Sequence, residues 1–166
     1  MFSSTRYFPL VKYLQNWISN GRPLFIVPLP REKGFEIMFT QWNSNNWFIT
    51  TLAEYKEKGP GADPIIELQF FTELLEKNVV LMKGEIKTKQ LKVLEVQMLV
   101  NQLQIFYNNE QVNSIFVTLI FKLTKPLQYY KQFVECFNHQ QDKFDFEKLI
   151  ETIDKLPASQ PETDKE

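Results

Sequence analysis

The chain contains 1 Cys and 1 His, so thiol or imidazole chemistry would have to come from Cys136 and His139. They stand three residues apart in a segment of helical spacing, which puts the thiol and the ring on one side of a helix. A hydrolase or transferase built on that pair lacks an identifiable third group to orient the base, and catalytic Cys and His usually meet from distant segments. Zinc normally takes four N or S ligands, so carboxylates would have to complete any site here. The better account is a surface His near a helix end beside a half-buried Cys.

The other candidates for chemistry are weaker still. Gly59-Pro60-Gly61 is not followed by Lys-Ser/Thr, and its proline removes an N–H that a phosphate cradle would use, so it reads as a turn. Glu67 with Glu85, or Glu73 with Glu76, could do acid–base work only if a cleft raised one pKa; solvated strand and helix faces account for them. Tyr129-Tyr130-Lys131 sets one cation beside two rings, a weak signal for base stacking. A net charge of -1 supplies no basic field for phosphates. The expectation is a protein without catalytic residues, metal or cofactor, and without a nucleic-acid partner.

Which elements would position these residues follows from periodicity. Residues 7–18 repeat Leu10, Tyr13, Leu14 and Trp17 at helical spacing and stop at Asn20-Gly21. Leu24-Phe25-Ile26-Val27 reads as a strand that Pro28 and Pro30 should end, since proline lacks the ladder N–H. A turn is expected at Lys33-Gly34. Segments 35–42 and 47–52 flank the turn chemistry of Asn43-Ser44-Asn45-Asn46 and predict an antiparallel hairpin. Phe35, Ile37, Phe39 and Gln41 should share one face, and Glu36, Met38, Thr40 and Trp42 the other. Residues 58–64 form a Gly- and Pro-dense loop, followed by alternating strands at 65–71 and 79–86.

A long helix is predicted over 89–108, capped by Thr88, with a buried stripe of Val93, Val96, Leu99, Val100, Leu103, Phe106 and Tyr107. The amides Gln97, Asn101, Gln104 and Asn108 should form a solvated stripe. Residues 114–123 read as a strand. A helix beginning near Pro126 should bury Leu127, Tyr130, Phe133, Val134 and Phe137. Asp145 can cap a last helix with Phe146, Leu149, Ile150, Ile153 and Leu156, ended by Pro157.

Strands grouped in the middle with helices after them indicate an α+β fold. The expected architecture is a mainly antiparallel sheet of about five or six strands, helices packed on one side, and a C-terminal helical segment. At 166 residues, one domain over 1–157 is expected, with a disordered polar tail at 158–166. Hydrophobic residues make up 43% and charged residues 23%, which fits a folded body. The aromatic share of 14%, led by 15 Phe, raises the question of displayed rings. No apolar run reaches the roughly 20 residues of a membrane span. Arg6, Lys12, Arg22 and Arg31 are the charged residues before Glu32, a faintly transit-like start without an evident import sequence.

Several segments together resemble one family. Phe25-Ile26-Val27-Pro28-Leu29-Pro30-Arg31, then Gln41-Trp42, then Thr50-Thr51-Leu52-Ala53-Glu54-Tyr55-Lys56 are similar to the assembly factors that chaperone the β subunit of the ATP synthase catalytic sector. Phe71-Thr72-Glu73-Leu74, Val80-Leu81-Met82-Lys83-Gly84-Glu85, Gln102-Leu103-Gln104-Ile105-Phe106-Tyr107 and Phe144-Asp145-Phe146-Glu147 continue in the family's order. The apolar stretch in 111–125 is longer than the family's, and the family's precursors carry a longer leader.

The resemblance implies a mitochondrial matrix protein that binds unassembled β subunit, prevents its aggregation and yields it to the α subunit; the sequence does not fix the oligomeric state, and a monomer is the default expectation. It points to Pro28, Pro30, Arg31, Gln41, Trp42, Thr50, Thr51, Glu54, Tyr55 and Lys56 as one partner-binding surface, because polar residues on strand ends and loops are not explained by packing alone. The alternatives are the small enzyme considered above and an interaction module with another partner.

Overall fold

Ile66, Leu68 and Phe70 are buried while Gln69 between them is exposed, the period of two that one dry sheet face imposes. The same rule organises the computed structural model, which describes residues 2–6, 21, 23–77, 80–107 and 125–156. Strands β1 (Phe2–Arg6), β2 (Leu24–Pro30), β3 (Phe35–Asn43), β4 (Asn46–Thr51), β5 (Ile66–Phe71) and β6 (Val80–Ile86) form one antiparallel sheet in the order β1-β6-β5-β4-β3-β2. Helices α1 (Leu52–Lys58), α2 (Val93–Tyr107), α3 (Leu127–His139) and α4 (Phe146–Asp154) complete the α+β architecture. The helix expected at 7–18, the strand at 114–123 and the tail at 158–166 lie outside the described residues.

Cross-strand partners share a face, so register assigns the two sides. Phe25↔Thr40, Thr40↔Ile49 and Ile49↔Ile66 belong to the inner face, as do Trp42↔Trp47 and Trp47↔Leu68. Helices cover this face. Phe25 meets Phe106 of α2 at 5.2 Å between ring centroids and Phe137 of α3 at 5.9 Å, and Trp47 meets Tyr107 at 5.2 Å. Burial pushes the Tyr107 phenol up, against a hydrogen bond with Thr40. Thr40 in turn donates to the Phe25 carbonyl at 3.2 Å, so α2 is tied to the β2–β3 ladder by polar as well as aromatic contacts.

α3 packs against both β2 and α2, and on α2 its Tyr130 and Phe133 stack edge-on against Phe106. With α3 beside it, residues 102–107 of α2 are buried all round, which corrects the expected solvated amide stripe at Gln104, while Gln97 is exposed as expected. α2 also begins later than predicted. Thr88 accepts from the Gln90 N–H at 3.2 Å in a turn, while Glu95 accepts from the Lys92 N–H at 2.7 Å and closes the helix start. Val93, assigned to the buried stripe, is exposed, as is Phe146, because their helices meet the core only from the next turn on. Asp145 caps α4 as expected, accepting from the Lys148 N–H at 2.9 Å.

Two further differences concern the strands. The β3–β4 turn is two residues, Ser44 and Asn45, with Asn43 paired to Asn46 and Ser44 at φ 54°. β4 ends at Thr51, and α1, which the sequence reading passed over, lies across the outer face. There Tyr55 stacks on Phe39 at 3.9 Å. The Thr51 hydroxyl accepts from the Glu54 N–H at 3.1 Å and caps α1. Thr51→Ala should therefore lower stability by about 1 kcal/mol, read as a reduced urea midpoint at unchanged slope.

The prolines do not end β2. The strand runs through both, and its place at the sheet edge explains why. The Arg31 N–H donates to Gly34 at 2.9 Å and the Trp42 N–H to Pro23 at 2.8 Å. In this ladder residues 25, 27 and 29 therefore bond to β3, while 24, 26, 28 and 30 point their backbone groups outward. Proline at an outward position removes no ladder bond. At Leu24 the Asn138 side chain of α3 substitutes for a neighbouring strand: its Oδ1 accepts from the Leu24 N–H at 3.2 Å, and its Nδ2 donates to the Leu24 carbonyl at 2.7 Å. Of the four outward positions, only Ile26 keeps an N–H without such a device among the described residues.

Candidate functional site

Arg31 follows the edge strand at the tight turn where Gly34 adopts φ 85°, a conformation suited to glycine. Its Nε donates to Glu36 at 2.9 Å, its Nη2 also reaches Glu36, and its Nη1 reaches Glu95 on α2. Glu95 uses its other oxygen on the Lys92 N–H. One guanidinium thus clamps the β2–β3 turn to the start of α2, and the role visible for Arg31 is internal positioning.

Beside the clamp lies an open groove of about 920 Å³, between the β2–β3 turn and the first two turns of α2. Leu29, Pro30, Leu94 and Met98 give it an apolar lining, and Lys33 and Lys92 stand at its rim. Leu94 is 57% exposed and Val93 46%. Two large aliphatic side chains on one helical turn are thus displayed next to the Pro-Leu-Pro-Arg segment. Apolar surface with a mixed polar rim is what an interface needs before its partner arrives.

The remaining candidates separate into two groups. Pro28, Pro30, Gln41 and Thr50 belong to the outer face by register, and Tyr55 joins them through Phe39. Trp42 and Thr51 belong to the inner face: Trp42 is buried against Trp47 and Phe70, each at 5.1 Å, and Thr51 is occupied with its cap. Glu54 pairs with Lys58 at 2.6 Å, which pushes the Lys58 amine up, and Lys56 is exposed. The expected single surface is divided along β3. Pro30 pairs with Phe35 and Leu24 with Gln41, so the two ends lie roughly 20 Å apart at about 3.4 Å per residue.

Cys136 lines a small pocket of about 90 Å³ with Tyr129, Phe133, Phe144 and Lys148, while His139 is exposed at the end of α3. Sequence reasoning missed Glu36, Glu95, Leu94 and Asn138. Only Glu95 carried a local signal, an acidic third residue in the first turn of the helix.

Comparison with known proteins places these features. The chain is 31% identical over 123 residues to the ATP synthase mitochondrial F1 complex assembly factor 1 of Danio rerio, covering 74% of this chain and 35% of that protein. It is 42% identical over 93 residues to Protein atp11, mitochondrial, of Schizosaccharomyces pombe, covering 52% of this chain and 32% of that protein. The Homo sapiens assembly factor 1 is 32% identical over 102 residues, 61% of this chain and 31% of that protein. The chain spans about a third of the length of these relatives. The family model described as ATP11 protein matches residues 15–150, well over half of the sequence, and the chain belongs to the ATP11 protein family.

Proposed function

We propose that this chain is an assembly chaperone of the mitochondrial ATP synthase, acting without catalysis in the matrix. Its client is the unassembled β subunit of the catalytic sector, which it holds out of aggregation until the α subunit takes its place. The observation that supports this most is the groove beside Arg31, where Leu94 is displayed at the segment that carries the family resemblance. The names of its relatives, as assembly factors of the F1 complex, point to the same class of client.

A chaperone contact must be strong enough to cover apolar surface and weak enough to be exchanged for the final subunit partner. Leu94 with Pro30 and Met98 offers such a contact without any charge that must be buried unpaired. Arg31→Ala is a poor test, because it would release Glu36 and Glu95 and disturb the fold. Leu94→Asp places a charge where the client's apolar surface would sit while leaving the clamp intact. It should weaken binding to isolated β subunit by about tenfold or more in a titration, with thermal stability unmoved, as expected for an exposed position. Binding equal to the unsubstituted chain would remove the groove from the proposal. No crosslink of the unsubstituted chain to β subunit would remove the client.

A further inference from the structure

Between the buried Leu91 and Val96, the residues that open α2 find no place in the core: Lys92, Val93 and Leu94 are exposed, and Glu95 is half-buried. The N–H groups of a first helical turn lack intrahelical partners, and a turn whose apolar side chains face solvent gains little from packing to offset fraying. Leu94, displayed at the groove, stands in this turn. We infer that Glu95 is a positioning residue for client binding, holding the first turn of α2, and with it Leu94, in the orientation that meets the client. This role rests on the chaperone reading above.

Both carboxylate oxygens of Glu95 are in use. Oε2 accepts from the Lys92 N–H at 2.7 Å, which closes the turn on itself, and Oε1 accepts from Arg31 Nη1, which ties the turn to the sheet. The guanidinium is a firm support: Glu36 accepts from its Nε at 2.9 Å and from its Nη2, and the Arg31 N–H donates to the Gly34 carbonyl at 2.9 Å. A rigid path thus runs from the β2–β3 turn through Arg31 and Glu95 to the turn that bears Leu94. An anchor already held in its bound orientation loses less freedom on association, so the path contributes to affinity without touching the client. Glutamine at this position replaces one of the two oxygens with a donor NH2, which can serve neither a guanidinium nor a backbone N–H. The Arg31–Glu36 pair stays intact in that variant.

Titration of isolated β subunit with the unsubstituted chain, Glu95→Gln, Leu94→Ala and the double variant tests this role. Amide exchange is followed alongside at Val96, whose N–H donates to the Lys92 carbonyl at 3.2 Å and begins the helix. Glu95→Gln should weaken binding about fivefold. It should also accelerate exchange at Val96 while leaving exchange at Leu103, fully buried in the same helix, unchanged. Once Leu94 is truncated its orientation no longer matters, so the double variant should bind no more weakly than Leu94→Ala alone. A double variant weakened by the product of the two single effects overturns the inference, because Glu95 then acts on the client or the fold independently of Leu94. Unchanged exchange at Val96, or unchanged binding by Glu95→Gln, overturns it too and leaves the chaperone reading standing. Full binding by Leu94→Ala overturns it by removing the side chain that Glu95 is to position. Absence of binding by the unsubstituted chain removes the client, and this role with it.

Discussion

Trp47→Ala should lower the stability of this chain by about 3–5 kcal/mol, the range for deleting a large buried aromatic. Trp47 is 1% exposed and joins three elements: its ring packs against Trp42 on β3, Phe70 on β5 and Tyr107 on α2. Truncation leaves a cavity at the point where the centre of the sheet meets its covering helix, so neighbouring rings cannot close it without moving the ladder. At roughly 2–4 °C per kcal/mol for a chain of this size, the thermal midpoint should fall by about 10 °C. Trp47→Phe separates packing from polarity. The indole N–H has no partner among the described residues, so phenylalanine keeps a ring while discarding an unsatisfied donor. It should cost less than about 1.5 kcal/mol. A midpoint equally low in both variants would show that ring volume alone does not explain the site.

The second large effect is expected at Asn138. Its amide accepts from the Leu24 N–H and donates to the Leu24 and Val134 carbonyls, the latter at 2.8 Å. Asn138→Ala leaves both outward backbone groups of Leu24 unpaired where α3 shields them from water, and should cost about 2 kcal/mol. Amide hydrogen exchange at Leu24 should accelerate selectively. The variant also presents a longer stretch of open edge, so sedimentation at rising concentration should detect association that the parent chain lacks. Asn138→Asp is informative in a different way. A carboxylate can still accept from Leu24 but faces two carbonyls with no donor, and should be at least as damaging. Unchanged exchange at Leu24 in both variants would refute the role assigned to this side chain.

These two residues show what could and could not be read from sequence. Trp47 stands in a strand whose alternation is visible locally, and the same holds for Ile66, Leu68 and Phe70, so the strands and the inner face were legible. The Lys33-Gly34 turn and the Asp145 cap were legible because each depends on neighbours within a few positions. Asn138 was not, since its partner is 114 residues away in sequence. Pro28 and Pro30 were misread as strand terminators for a related reason: proline ends an internal strand but fits an edge, and strand order is a global property. α1 had a usable signal. Thr51 followed three residues later by Glu54 has capping-box spacing, and the strand reading continued one residue past it.

The candidate surface was legible in part. Register gathers Pro28, Pro30, Gln41 and Thr50 on one face, but it turns Trp42 and Thr51 inward, and the Glu36–Arg31–Glu95 clamp depends on a contact across 64 residues. Leu94 could not be singled out beforehand, because an apolar residue in a helix is ordinarily assigned to the core until its rotation about the axis is known.

The β4–β5 ladder closes at Ile49 and Ile66, which are cross-strand partners, and the Ile65 N–H donates to the Ile49 carbonyl at 2.9 Å. The excursion carrying α1 and the proline loop therefore starts and finishes at one rung. Its closure is set by the sheet and not by its own length, and doubling a flexible loop adds only about 0.6 kcal/mol of closure entropy. Insertions here, or a transplanted excursion from a relative, would consequently change this part of the outer face without shifting the register of a single strand.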